Sequence, residues 1–389
     1  MIEEKSILII FSGDSINNAP KVKNLINSFQ NCGFNILLAG IVKDTSHNLK
    51  GVDDAWLYSK GKKQGFYKII YVAYCIFKLI YTLIIDRRIK NIYAINPISG
   101  IVALLSSFFT KKIYIYESHE MVFGLNYPFF KGRWRHFWRV VEKIIIKNAK
   151  YFFTTDPYRL TFIRRYYKLT ITNIGYILNV PLKSIDLGKK EENKKNFNFG
   201  DKFVLSYCGT ILESRGIEFI IDAYARFKNK ADNTLLLLAG AIDNSYLESL
   251  KRRILTLNLS LDDVIFTGKL NNNVLLRYIS ASDVTFALYS NVSLNNRMCS
   301  PNKIFDVLHA RTEVIATHSF ITNDIVLKNN IGVILNSIDA NNILFAIEES
   351  YSKRINITHN NLWDKMKLKY CWESEFDRVK QSILPIFNS

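Results

Sequence analysis

The 389-residue chain contains no Asp-x-Asp, no Gly-x-Gly-x-x-Gly and no Cys-x-x-Cys. The first absence removes the carboxylate pair with which many sugar-transferring enzymes hold a metal at a diphosphate, and the second removes the dinucleotide fingerprint. The five cysteines (Cys32, Cys75, Cys208, Cys299 and Cys371) have no metal-ligand spacing and read as reduced thiols of a cytosolic protein. Zinc-finger spacing, an RNP-like aromatic motif and a long basic tail are also missing, which argues against nucleic acid as a partner. No signal peptide is expected, because Glu3 and Glu4 lead straight into a strand pattern. The most apolar stretch, residues 65–90, is broken by Lys78 and falls short of the about 20 apolar residues that span a bilayer. Acidic residues are scarce, with 34 Asp and Glu against 52 Lys and Arg, a formal net charge of +18. Such a balance suits phosphorylated substrates or an anionic membrane surface.

A hydrophobic content of 48% with 22% charged residues describes a folded chain long enough for two domains. Residues 6–12 read as a buried strand, 13–20 as a turn, and Val22, Leu25, Ile26 and Phe29 as the buried face of a helix. Strands at 35–41, 55–59, 91–96, 112–118, 151–156 and 171–177 alternate with helical patterns, which implies a parallel sheet covered on both faces. In such a sheet ligands dock at the carboxyl ends of the strands. Gly13 follows the first strand, and Glu117, Ser118, His119 and Glu120 follow the one at 112–118. His119 is placed to position or polarise a sugar, and fits a structural histidine at a strand end equally well.

Two stretches of this half suggest a surface role. Residues 65–90 read as a helix buried against the sheet with one face or end touching membrane, flanked by Lys60, Lys62, Lys63 and Lys68 and by Arg87, Arg88 and Lys90. Residues 131–150 interleave Trp134, Phe137 and Trp138 with seven basic side chains and His136, opposed only by Glu142. That composition fits anionic headgroups, stacking on single-stranded nucleic acid, or a solvated helix face.

After Asn179-Val180-Pro181 the chain turns polar, and residues 186–200 are expected to be a linker. A second alternating pattern starts at residue 203, with strands at 203–210, 235–239, 264–267, 284–288, 314–317 and 332–335. Gly209-Thr210 through Arg215-Gly216 form the loop after its first strand. Ser300 suits an N-cap and Pro301 the first helical position. The free N–H groups of that helix, with Lys303, suit a diphosphate, and Asp306 one turn on could accept hydrogen bonds from nucleotide sugar hydroxyls. An ordinary capped helix with a solvated lysine has the same pattern.

Together, Tyr207–Gly216, Phe266-Thr267-Gly268, Ser282-Asp283-Val284, residues 300–317, Asn179-Val180-Pro181 and the closing segment 363–387 resemble the GT-B glycosyltransferases, and within them the retaining glycosyltransferase family 4. The resemblance implies two doubly wound Rossmann-like α/β domains facing a central cleft. Residues 1–185 would bind the acceptor, joined by a crossing helix at about 370–389, and residues 201–369 would bind a nucleotide-sugar donor. It assigns Arg215 to the donor diphosphate and leaving group, and Ser300, Pro301, Asn302 and Lys303 to the phosphates. Asp306 falls to the ribose, His119 to the donor-sugar pocket, and Gly13 and the Gly209-Thr210 loop to the donor's surroundings. The sequence departs from the family where an acid becomes Met298, where a glycine and a proline become Arg311 and Glu313, and where a second basic ligand near Gly209 is missing.

The expectation is a glycosyltransferase, peripheral at the cytoplasmic inner face of the membrane. It would pass a sugar from a nucleotide diphosphate to a lipid-linked or surface-polysaccharide acceptor, with no metal, no cofactor and no nucleic acid. A nucleotide-sugar epimerase of the same fold and a non-catalytic nucleotide-sugar-binding subunit are the alternatives.

Overall fold

A computed structural model of the chain describes residues 5–13, 15–17, 19–46, 49–59, 65–121, 124, 132–291, 293–353 and 360–388. Of the residues singled out above, Glu3, Glu4, Lys60, Lys62, Lys63 and Lys131 lie outside that set. The chain divides into two compact units, residues 1–179 with 372–389, and residues 180–371.

The first unit is a seven-stranded parallel sheet of β1 (Ser6–Ser12), β2 (Asn35–Val42), β3 (Val52–Ser59), β4 (Asn91–Ile95), β5 (Ile113–Ser118), β6 (Tyr151–Thr154) and β7 (Ile174–Tyr176). Their order is β3-β2-β1-β4-β5-β6-β7. The inner strands are continuous apolar runs because helices cover both faces, so alternation with polar residues is not needed. The closing helix Trp372–Asn388 belongs to this unit. Trp372 Nε1 donates to Ser28 Oγ at 2.8 Å, and the Phe376 and Phe387 rings meet Phe29 edge-on at 5.7 and 5.8 Å.

The second unit repeats the plan with β8 (Phe203–Cys208), β9 (Thr234–Ala239), β10 (Val264–Phe266), β11 (Val284–Ala287), β12 (Glu313–Thr317) and β13 (Gly332–Leu335), ordered β10-β9-β8-β11-β12-β13. Ile217, Ile220, Ile221, Tyr224 and Phe227 of the helix Ile217–Lys228 are buried against this sheet. Each such side chain contributes roughly 2 kcal/mol of burial free energy. Helix starts follow their caps. Asp243, Asn271 and Ser319 accept hydrogen bonds from Ser245, Val274 and Thr322 N.

In both sheets the strand order reverses beside the first strand, between β1 and β4 and between β8 and β11. A doubly wound fold opens its ligand crevice outside the carboxyl ends of the strands at such a point.

Three expectations are corrected. Residues 186–200 are not a free linker but part of the second unit, including the helix Lys190–Asn196. Its anchors are polar, which is why no apolar period betrayed it. Lys190 and Lys194 each pair with Asp283 at 2.7 Å, and buried Asn193 bonds Leu187 O, Ser280 Oγ and Arg277 Nε. Glu142, expected as a surface counter-charge, is 1% exposed and accepts from the hydroxyls of Tyr116, Ser118 and Tyr167. Ser300 does not cap its helix. The cap is Pro301 and the helix runs Asn302–Ala310, one residue later than expected. Arg311 takes the left-handed cap conformation, φ 55°, at the position where the family resemblance implies glycine.

Asn193 carries the attachment of residues 186–200. Asn193→Ala leaves its buried partners unsatisfied and is expected to cost about 2 kcal/mol. A thermal melt of the purified chain reads this as a lowered midpoint, and an unchanged midpoint refutes it.

Candidate functional site: a two-cation pocket and a buried carboxylate

In the second unit, β8 delivers Tyr207 inside the sheet edge and Gly209 just beyond it. Gly209 has φ 131°, and a Cβ there would sit 3.0 Å from Lys303 Cε and 3.1 Å from Lys303 Nζ. Glycine thus lets a lysine from another helix lie against the loop. Lys303 Nζ donates to Tyr207 Oη at 3.0 Å, and that hydroxyl donates on to Thr210 O at 3.0 Å. The chain then makes a short 3-10 turn, Glu213–Arg215, ended by Gly216 at φ 67°. This turn sets the Arg215 guanidinium over the Tyr289 ring, 3.9 Å from its centroid. Lys303 Nζ lies 5.6 Å from the same ring and 4.2 Å from that of Tyr207.

Two cations therefore converge on one aromatic face, and among the described residues neither forms an ion pair. Lys303 is 9% exposed. Burial, reinforced by the Arg215 charge, pulls its ammonium down to about 7. Burial pushes the carboxyl of half-buried Asp306, one turn along the helix, up to about 7, opposed by Lys303. An anion bound between Arg215 and Lys303 relieves both the repulsion and the desolvation. Ser300 Oγ, just before the helix, is buried without a hydrogen-bond partner. The loop and helix start thus offer two cations, a hydroxyl and free backbone N–H groups, the chemistry of a diphosphate site.

The structure brings Gly209, Thr210, Arg215 and Lys303 together, with Ser300, Pro301 and Asn302 leading into the same helix and Asp306 on it. Tyr207 and Tyr289, which orient both cations, were missed; an aromatic at a strand end looks like core. The loop near Gly209 lacks the second basic residue that the resemblance implies, and Lys303 reaches that loop from the helix Asn302–Ala310. Met298 is 7% exposed and brings a thioether where the resemblance implies a carboxylate.

In the first unit the polar group lies at the ends of β4 and β5. Glu117 is fully buried, ion-paired to Lys21, and accepts from Tyr93 Oη at 2.6 Å. His119 Nε2 lies 2.7 Å from Glu117 Oε1. Burial alone would raise the Glu117 carboxyl; Lys21 and then His119 outweigh it and hold it at about 2. Lys21 is itself lowered by burial, partly offset by Glu117. The backbone of His119 is tied at both ends, its N donating to Asn96 Oδ1 at 3.3 Å and its O accepting from Arg159. Gly13 directly follows β1, and a Cβ there would strike the Phe11 ring at 2.2 Å. Lys21 and Tyr93 were not foreseen as site residues, since a lysine near a helix start reads as solvated. Among the described residues no cluster of three or more His, Cys, Asp or Glu is placed to hold a metal ion.

Two reversing parallel sheets in one chain are the plan of the GT-B fold. Residues 188–362, nearly the whole second unit, match the family model described as Glycosyl transferases group 1. The chain is 24% identical over 302 residues to the capsular polysaccharide biosynthesis glycosyltransferase CapM of Staphylococcus aureus, covering 72% of this chain and 73% of that one. Sucrose-phosphate synthase from Thermosynechococcus elongatus superposes with a TM-score of 0.77 at 17% identity, over 99% of both chains. HepE of Anabaena, in complex with UDP and glucose, does so at 0.73 and 13%, over 97% of this chain and 99% of that one. The chain has the GT-B fold, and most of its second unit matches the glycosyl transferases group 1 family model.

An anion between Arg215 and Lys303 favours the protonated lysine, so binding and protonation are linked. Calorimetry with UDP at pH 8, repeated in buffers of different ionisation enthalpy, is expected to show proton uptake, with affinity falling as pH rises through about 7. Lys303→Arg should bind without that uptake. Equal proton uptake by both proteins would show that Lys303 does not meet the anion.

Proposed function

We propose that the protein transfers a sugar from a nucleotide diphosphate sugar to a lipid-linked or surface-polysaccharide acceptor at the cytoplasmic face of the membrane. The observation that carries the donor half of this reading is the pair of cations, Arg215 and Lys303, converging on Tyr289 with no ion-pair partner among the described residues. As the glycosidic bond breaks, negative charge grows on the leaving diphosphate. Cations already in place stabilise it without reorganisation, so the reaction requires no metal in this reading. Asp306 holds the ribose hydroxyls, Ser300 and the helix start at Asn302 donate to phosphate, and His119 meets the donor sugar. Retention of anomeric configuration follows from the family resemblance. The UDP and glucose named with HepE and the capsular polysaccharide named with CapM agree with the donor and acceptor classes.

The membrane half rests on an exposed apolar face of the first unit. The helix Gly65–Ile85 buries Cys75, Leu79 and Leu83, one narrow stripe, and exposes Tyr74, Phe77, Tyr81 and Ile85. It packs on the helix Pro97–Phe109, whose Phe108 is 81% exposed, and that helix packs on Arg133–Asn148, where Trp134 and Phe137 are exposed beside Arg135 and Arg139. Apolar and aromatic side chains bordered by arginines match an interface with anionic lipid. Among the described residues no helix is long and apolar enough to cross a membrane.

Buried Met298 favours one second reading, a subunit that binds the donor without turning it over. Titration calorimetry against UDP, GDP and ADP and the corresponding sugars, without metal, identifies the donor. Arg215→Ala is expected to weaken its binding at least about tenfold and to lower turnover by about 100-fold or more. Unchanged kinetics in that variant would place the donor elsewhere, and binding with no turnover on any acceptor would select the second reading.

Cosedimentation with anionic vesicles at low salt tests the surface. The wild-type chain should pellet with them, and Phe77→Ser/Phe108→Ser should stay in the supernatant. A wild-type chain that ignores such vesicles contradicts the membrane assignment.

A further inference from the structure

We propose that Glu117 is a positioning residue for this reaction, fixing the His119 ring with Nε2 held inward so that Nδ1 is the nitrogen left for the substrate. The inference rests on the reading that His119 meets the donor sugar.

Three independent ties converge on this one residue, one on its ring and two on its backbone. Glu117 Oε1 holds Nε2 at 2.7 Å, Asn96 holds the backbone N–H, and Arg159 holds the carbonyl. Glu117 is itself immobile. It stands on β5, an inner strand, in register with Ile95 of β4 and Phe153 of β6. Its Oε2 is taken by Tyr93, while Lys21 pairs with Oε1 and also donates to Ile177 O at 2.5 Å. The charged groups around this cluster are Lys21 on the first helix, Arg159 on the helix after β6, and Glu375 and Arg378 on the closing helix. Burying an ionised carboxylate and an ammonium costs more than burying an apolar pair of the same volume. The Lys21–Glu117 pair is closed inside the unit, yet the carboxylate spends a further bond on a histidine that is 23% exposed. A purely structural ion pair gains little from that bond. A ring that must present one chosen nitrogen gains its orientation.

Two double variants test the idea while removing both buried charges, so that neither strands an unpaired ion. Lys21→Met/Glu117→Gln keeps an oxygen to accept from Nε2–H; Lys21→Met/Glu117→Leu does not. In the 15N-labelled full-length chain, the wild type should show a downfield, slowly exchanging proton on His119 Nε2. The Gln variant should keep that proton and the Leu variant lose it. Turnover should follow, with kcat lower by roughly tenfold or more in the Leu variant at little change in donor KM, and mostly recovered in the Gln variant. Absence of the protected Nε2 proton in the wild type, or equal kcat in the two variants, overturns the proposal. The resonance needs no substrate, so a failure of the transferase reading, seen as no donor binding, is told apart from a failure of the positioning.

Discussion

Helices on both faces of a parallel sheet leave almost nothing of the sheet open to water except the ends of its strands. That constraint governs both units. Because the inner strands are covered above and below, they carry unbroken apolar runs, and polar chemistry is pushed into the loops at their carboxyl ends. Gly13, Asn96, Glu117 and His119 follow from it in the first unit, and Gly209, Arg215 and Tyr289 in the second. The reversal of strand order beside β1 and β8 then separates neighbouring loops and makes room for a ligand at that edge.

The two polar clusters use burial in opposite ways. Lys21 and Glu117 are buried as a compensated pair, so the carboxylate stays ionised and can serve as a fixed anchor. Lys303 is buried beside Arg215, a like charge, so its ammonium is destabilised until an anion arrives. The first arrangement holds geometry. The second stores unfavourable electrostatic energy that an anion placed between the two side chains would release. Aromatic rings serve both clusters, with the Tyr93 hydroxyl completing the anchor and Tyr289 supporting Arg215 from its face.

The departures from the family pattern also gain physical content. Arg311 occupies a left-handed helix end at some conformational cost, and its guanidinium pairs with Asp364 in partial return. Lys303, on the helix Asn302–Ala310, lies against the loop near Gly209 from which a basic residue is missing, because a glycine opens the space that the lysine fills. Met298, largely buried, places a thioether where the resemblance implies a carboxylate.

The alternation of apolar runs with helical periodicity was enough to determine two doubly wound sheets, almost every strand, the loops that carry Gly13, His119, Gly209 and Arg215, and the helix that carries Lys303. Those features are local, set by periods of two and 3.6 and by the turn residues between them. What only the tertiary structure decided was non-local and polar. Asn193 and Lys194 read as linker until Ser280, Arg277 and Asp283 were seen to hold them. Lys21 reads as a solvated helix residue until Ile177 O, 156 positions away, and Glu117 enclose it. Glu142 likewise reads as surface charge until three hydroxyls surround it. No periodicity encodes such pairings, because a buried polar side chain is stabilised by whichever distant partner the fold delivers, and its own neighbours in sequence carry no record of that partner.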